Sequence, residues 1–308
     1  MKRFFFRILN YSTAAMGNYK YYIIFNVVST MTLDFHISCF HGLLVLFPYS
    51  VTCMTGPLGY MKDYRYNAVS YNIMHFTLSA TGLSVFIGFL YRYYSLRNEA
   101  KVFHTKKAAL IIATSIILYP LPSTIPSLIN IQYSDAYAKD YAARKYLGFH
   151  EIYTEISCSA YYDNTVAVFG FTGSLFLISI VGVACGIIAV INIRLLQSVK
   201  SSLTTATYTL QRQFLIVLCF QLVIPSVCLF SPLFVLFGAV LAESKNMFLW
   251  SEILIHILTL HATFNGLLII FSIKPYRIAV KKFFNLKTKH PRVISVATTV
   301  VNFANINH

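Results

Sequence analysis

The chain of 308 residues is 57% hydrophobic and only 11% charged, with a mean hydropathy of +0.63; soluble domains carry about 25% charged residues. Its formal net charge is +15, but the Lys and Arg residues are scattered between apolar runs rather than gathered on one solvated unit, which excludes a nucleic-acid-binding domain. A bilayer is the solvent this composition fits, and a helix crosses it with about 20 largely uncharged residues.

In chain order, residues 1–21 carry basic side chains and an apolar run too short for a membrane span or a secretion signal. This segment is expected in the cytoplasm, which would leave the only glycosylation sequon, Asn10-Tyr11-Ser12, unmodified. Residues 22–273 read as an all-α, polytopic membrane helix bundle. Its predicted spans are A (Tyr22–Tyr49), B (Asn67–Tyr94), C (Ala108–Ile131), D (Val166–Ile193), E (Phe214–Leu241) and F (Met247–Ile273). Spans C, D and E contain no Asp, Glu, Lys or Arg, whereas A holds only Asp34, B only Arg92 and F only Glu252. A buried helix of a soluble protein would need a polar outer face, and C, D and E have none.

Most basic residues fall in the termini and the B–C and D–E connections, while Lys62, Arg65, Lys139, Arg144, Lys145 and Lys245 lie opposite among most of the acidic ones. The positive-inside rule then puts both termini in the cytoplasm. Residues 274–308 are expected to be a cytoplasmic tail. Within it, Ile278, Val280, Phe283 and Phe284 alternate with Lys281 and Lys282, a pattern suited to an interfacial helix. The long exterior connection from Gln132 to Thr165 has the length of a functional loop or of a plain linker.

Asp34 lies mid-span, where an ionised carboxylate is expensive, so it is expected to face the bundle interior with a polar partner. A ligand or switch role and a purely structural hydrogen bond both fit it. His36, His41, His75, His256 and His261 are also intramembrane, but their spacing offers no metal signature and no cofactor is expected. His75, Trp250, Glu252 and His256 share one depth in the exterior half and are candidate ligand contacts. Each alone also reads as a packed or snorkelling side chain. Tyr91-Arg92-Tyr93 closes span B, with the Arg donors expected near the membrane surface and free for a partner, or as a simple topology anchor.

Pro225 and Pro232 are expected to bend span E. Gly182 and Gly186 in GxxxG spacing read as internal helix packing. Cys53 and Cys158 both lie on the exterior face, where a disulfide would form, although spacing alone leaves the pairing open. No nucleophile–base spacing, phosphate loop or HExxH occurs, so enzymatic chemistry has no support. Repeated halves and pore-lining charges are missing too.

Several segments resemble the nematode serpentine receptors of the Str superfamily, closest to classes I and H. Met16–Tyr22 (MGNYKYY) is similar to their first cytoplasmic loop, Leu33–His36 (LDFH) to the centre of the second helix, and Thr55–Tyr60 (TGPLGY) to the first exterior loop. Tyr91–Tyr94 (YRYY) resembles the end of the third helix, Gln211–Pro225 the sixth helix, and Lys274–Arg277 (KPYR) the boundary after the seventh. On this resemblance spans A to F correspond to helices two to seven, and Met1–Ala15 stands where an exterior N-terminus and first helix are expected.

The resemblance implies a chemosensory, olfactory-type G-protein-coupled receptor in the plasma membrane or a sensory cilium. It would bind a small-molecule ligand outside and a heterotrimeric G protein inside. Asp34, Tyr91, Arg92, Tyr93, Asn265, Lys274, Tyr276 and Arg277 are then the coupling and switch candidates. The competing readings are a transporter-like or accessory membrane protein that engages no G protein, and a non-functional truncated receptor.

Overall fold

The structure, a computed structural model, describes residues 19–46, 51–130, 155–160, 164–242, 244, 247–272 and 277–278. Among the described residues, six helices are long and apolar enough to cross a membrane: Tyr19–His41, Tyr64–Leu96, Lys106–Pro126, Thr172–Ser198, Thr205–Leu236 and Trp250–Ser272. Their outer faces are apolar as well. Leu110, Ile111, Phe176, Val183 and Phe271 are each more than 60% exposed, which water would penalise and lipid does not. The chain is a membrane protein built as an all-α bundle.

Helix α1 (Tyr19–Phe35) runs on through a π-helical turn, His36–His41. Span A reads as helical to Tyr49, but the chain leaves the helix at Gly42, whose φ of 56° suits glycine. A Cβ there would also strike Thr55 Oγ1. Beyond it Leu43–Leu46 forms strand β1, which pairs antiparallel with β2 (Val51–Met54), itself paired with β3 (Ser157–Ala160). The small sheet covers one end of the bundle. Cys53 faces Cys158 across β2 and β3, and the two are disulfide-bonded.

The TGPLGY segment owes its glycines to crowding. A Cβ on Gly56 would strike the Phe40 carbonyl oxygen, and one on Gly59 the Met54 carbonyl oxygen. A short 3-10 turn, Pro57–Met61, then leads into α2 (Tyr64–Leu96), whose first turn is capped by Asp63 accepting from the Arg65 N–H at 2.9 Å. Asn67 ties this end to the sheet by donating to Thr52 O at 2.7 Å and Ser159 Oγ at 2.6 Å.

Helix α2 is the central post, packing on α1 and on the later helices Leu121–Asn130, Asn164–Ser198 and Thr205–Pro225. Span C is broken into α3 (Lys106–Leu118) and α4 (Leu121–Asn130), because Pro120 between them has no N–H to continue the ladder. Helix α5 covers Asn164–Ser198. Span E divides at Pro225 into α6 (Thr205–Pro225), a π-helical turn (Ser226–Phe230) and α7 (Ser231–Leu241). Span F divides at Leu260 into α8 (Phe248–Thr259) and α9 (His261–Ser272).

One apolar cluster, including Tyr19, Phe89, Phe214, Val217, Leu218 and Ile269, fills the end remote from the sheet. A second, of Leu33, Ile37, Tyr71, Met74, Leu229 and Leu258, lies toward the sheet. Helices α2 and α6 approach closely at Gly88, where a Cβ would sit 3.0 Å from Leu218. The GxxxG pair behaves differently from its internal-packing reading: a Cβ on Gly182 or Gly186 would meet nothing within 4 Å.

Candidate functional site

A cavity of about 60 Å³ lies between α2, the α3–α4 break, α5 and α6. It is mainly apolar, and its polar atoms come from Thr81, Tyr119 and Gln221 among a few others, with Pro225 and the π-helical residues Leu229 and Phe230 forming one wall. Gly82 and Gly182 also line it, and the open space above both is what keeps the cavity from closing. Pro225 has no N–H for the helical ladder, so the helix widens into the π turn where it meets this space.

From Gln221 a buried polar chain crosses the bundle. Gln221 Nε2 donates to Asn26 Oδ1 at 3.1 Å, and Asn265 Nδ2 donates to the same oxygen at 3.1 Å. Asn26 Nδ2 in turn donates to Ser84 Oγ at 2.7 Å, whose hydroxyl donates to Thr81 O at 2.7 Å. One amide thus joins α1, α2, α6 and α9. Groups of this kind are retained inside an apolar bundle only when paired.

Nearer the sheet, Asp34 reaches the break in span F. Its Oδ1 lies 2.9 Å from His261 Nδ1, which is also 3.0 Å from Leu258 O, and its Oδ2 accepts the Ala262 N–H at 3.2 Å. A carboxylate at this point satisfies one of the orphan donors of the α9 N-terminus and faces the positive end of its dipole. The interior partner expected for Asp34 is therefore a broken helix end.

At the opposite end, Arg92 is not surface-free as its position suggested: it is only 3% exposed. Its guanidinium carbon stands 3.4 Å from the Tyr19 ring centroid and 4.4 Å from that of Phe214, and its Nη1 donates to Gln211 Oε1 at 2.6 Å. Aromatic faces and one amide oxygen replace water around the charge. Tyr91 is buried beside it in a ring cluster with Tyr22 (4.7 Å) and Phe103 (5.6 Å).

Tyr93 accepts from Arg97 Nη1 at 2.7 Å, and this bond together with the Glu99 carboxylate holds the exposed Arg97 above its ordinary pKa. Arg277 is exposed and donates to Phe271 O at 3.2 Å. Lys274 and Tyr276 lie outside the described residues.

The four proposed ligand contacts do not converge. His75 is buried edge-on against Tyr71 at 4.7 Å, Trp250 is 58% exposed on the outer surface, and His256 is exposed on α8 one turn from the half-buried Glu252. None of them lines the cavity. Equal depth along two helices says nothing about which way their side chains face.

Sequence reading passed over Tyr19, Asn26, Ser84, Gln211, Phe214 and Gln221. For Asn26 and Gln221 the available signal was an amide inside an otherwise apolar span, the uncharged counterpart of an intramembrane carboxylate.

Among the described residues, no group of three or more His, Cys, Asp or Glu is placed to hold a metal ion. No curated protein and no solved structure matches the chain. A family model described as serpentine type 7TM GPCR chemoreceptor Srh matches residues 4–286, nearly the whole chain. With that match added to a bundle of apolar helices, the chain belongs to the Srh family of serpentine seven-transmembrane GPCR chemoreceptors.

Proposed function

We propose that the protein is a chemosensory G-protein-coupled receptor with both termini cytoplasmic, placed in the plasma membrane or a sensory cilium. A small, largely apolar molecule carrying a polar group occupies the cavity beside Pro225, and a heterotrimeric G protein engages the opposite end at Arg92. The observation that carries this reading is that the same two helices serve both places. Helix α2 supplies Thr81 to the cavity and Arg92 to the cage, while α6 supplies Gln221 and Pro225 to the one and Gln211 and Phe214 to the other.

The ligand acts only through its differential affinity for the two arrangements of these helices. In the caged arrangement Arg92 is withheld from any partner, and the polar chain through Asn26 is intact. A ligand that fits better when α6 moves at Pro225 lowers the cost of releasing Arg92 from Phe214 and Gln211. Asn265, bonded to the same Asn26 oxygen, brings α9 into the transition.

The test is expression of the full chain with a reporter G protein, followed by screening small apolar odorants for stimulated nucleotide exchange. Arg92→Ala, delivered normally to the surface, is expected to abolish the evoked response. Undiminished signalling by that variant would remove Arg92 from the mechanism.

A further inference from the structure

A second and larger hollow, about 340 Å³, lies between α5 and α6 away from the cavity described above. Along α6 it is lined by Tyr208, Arg212, Leu215, Ile216, Phe220 and Val223, a spacing that keeps one helical face in line. Leu196 and Leu215, 4% and 6% exposed, form its floor, whereas Ile216, Phe220 and Val223 are each more than 40% exposed along its open side. From Arg212 to Val223 the stripe rises about 16 Å, which is close to half of the hydrocarbon thickness of about 30 Å.

The hollow therefore has the length of one leaflet, and it has a polarity. Its apolar part ends at Arg212, Tyr208 and Gln197, with Arg194 and Lys200 close in sequence. Neither α5, nor the connection 199–204, nor α6 contains an Asp or Glu, and among the described residues no carboxylate is paired with Arg212. A zwitterionic headgroup carries no net charge for this basic rim to attract, whereas one of net negative charge gains attraction as well as hydrogen-bond donors.

We infer that this groove is a binding site for an anionic phospholipid, with one acyl chain laid along α6 and the phosphate held at Arg212. The site belongs to the leaflet on the Arg92 side of the bundle, since Gln211 next to Arg212 is the partner of Arg92. The groove stands independently of ligand recognition: a failed signalling assay leaves a lipid-binding readout unaffected.

Trp250 is the only tryptophan, on a different helix, so fluorescence can report the groove cleanly. The full chain carrying Trp250→Phe and Phe220→Trp is placed in phosphatidylcholine bilayers and titrated with brominated phosphatidylserine or brominated phosphatidylcholine. The serine lipid is expected to quench about fivefold more efficiently, the preference one arginine confers near anionic lipid. Adding Arg212→Ala brings the two lipids to parity, and Arg212→Lys keeps the preference.

The unsubstituted protein, read through Trp250, is expected to show no preference between the two lipids. Equal quenching of the groove reporter by both lipids overturns the site. So does loss of the preference on adding inorganic phosphate, which would mark a site for a free anion only.

Discussion

The arginine cage yields two substitutions of opposite sign. Phe214 is 1% exposed and presents its ring 4.4 Å from the Arg92 guanidinium. Phe214→Leu keeps most of the buried volume but removes the π face, and a desolvated cation–π contact is worth about 2 kcal/mol or more, part of which the closer Tyr19 ring retains. A loss of about 1–2 kcal/mol from the caged arrangement changes its ratio to the released one by about 5- to 30-fold, so ligand-independent nucleotide exchange is expected to rise by up to that factor.

Gln211→Glu acts the other way. It turns the 2.6 Å bond from Arg92 into an ion pair in a partly buried setting, and a charge-assisted pair holds the guanidinium more firmly. Basal exchange then falls and more ligand is needed for the same response. The assay is GTPγS binding in membranes at matched receptor amounts. If both variants shift basal exchange in one direction, the cage is only a structural element and the reasoning fails.

Gly182→Leu, placed where no atom lies within 4 Å of a new Cβ, is expected to fill the cavity and abolish the evoked response while leaving basal exchange unchanged; retained potency for an active odorant would locate the ligand elsewhere. Asn26→Leu removes three interhelical hydrogen bonds, each worth about 0.6 kcal/mol in a membrane, so a loss near 2 kcal/mol is expected. Thermal unfolding in detergent, followed by a thiol dye at the buried Cys185 and Cys228, measures it. Cys53→Ser opens a bridge spanning 105 residues and should cost about 2–5 kcal/mol. Reductant should lower the melting temperature of the native chain to that of the variant and leave the variant unmoved.

The six apolar spans were legible because length and the near-absence of charge are properties of the local sequence. The end of span A was not, since Leu43–Leu46 is an apolar run too short to distinguish strand from helix, and only Gly42 marked the change. Asp34 announced itself as a costly group needing a partner, but what it meets, the Ala262 N–H and the His261 ring, is remote in sequence at a helix break with no proline. For Arg92 the position was readable and the burial was not, because the burial depends on Tyr19 and Phe214 arriving from other helices. The four candidate ligand contacts were grouped by depth, and they lie apart for a related reason. Depth follows from counting along a helix, whereas facing depends on how the helices are rotated against one another.

The π-helical turn after Pro225 also bears on how this chain tolerates change. An α-helix advances about 100° per residue, so inserting or deleting one residue ordinarily swings everything beyond it onto a different face. A stretch wound with i→i+5 bonds already holds a surplus residue within its turn. Losing one residue between Ser226 and Phe230 would let that turn tighten to the α repeat while α7 kept its inward face toward Ile255 and Met247. Length variation along this helix therefore has one place to accumulate without scrambling the bundle, and it is the wall of the cavity.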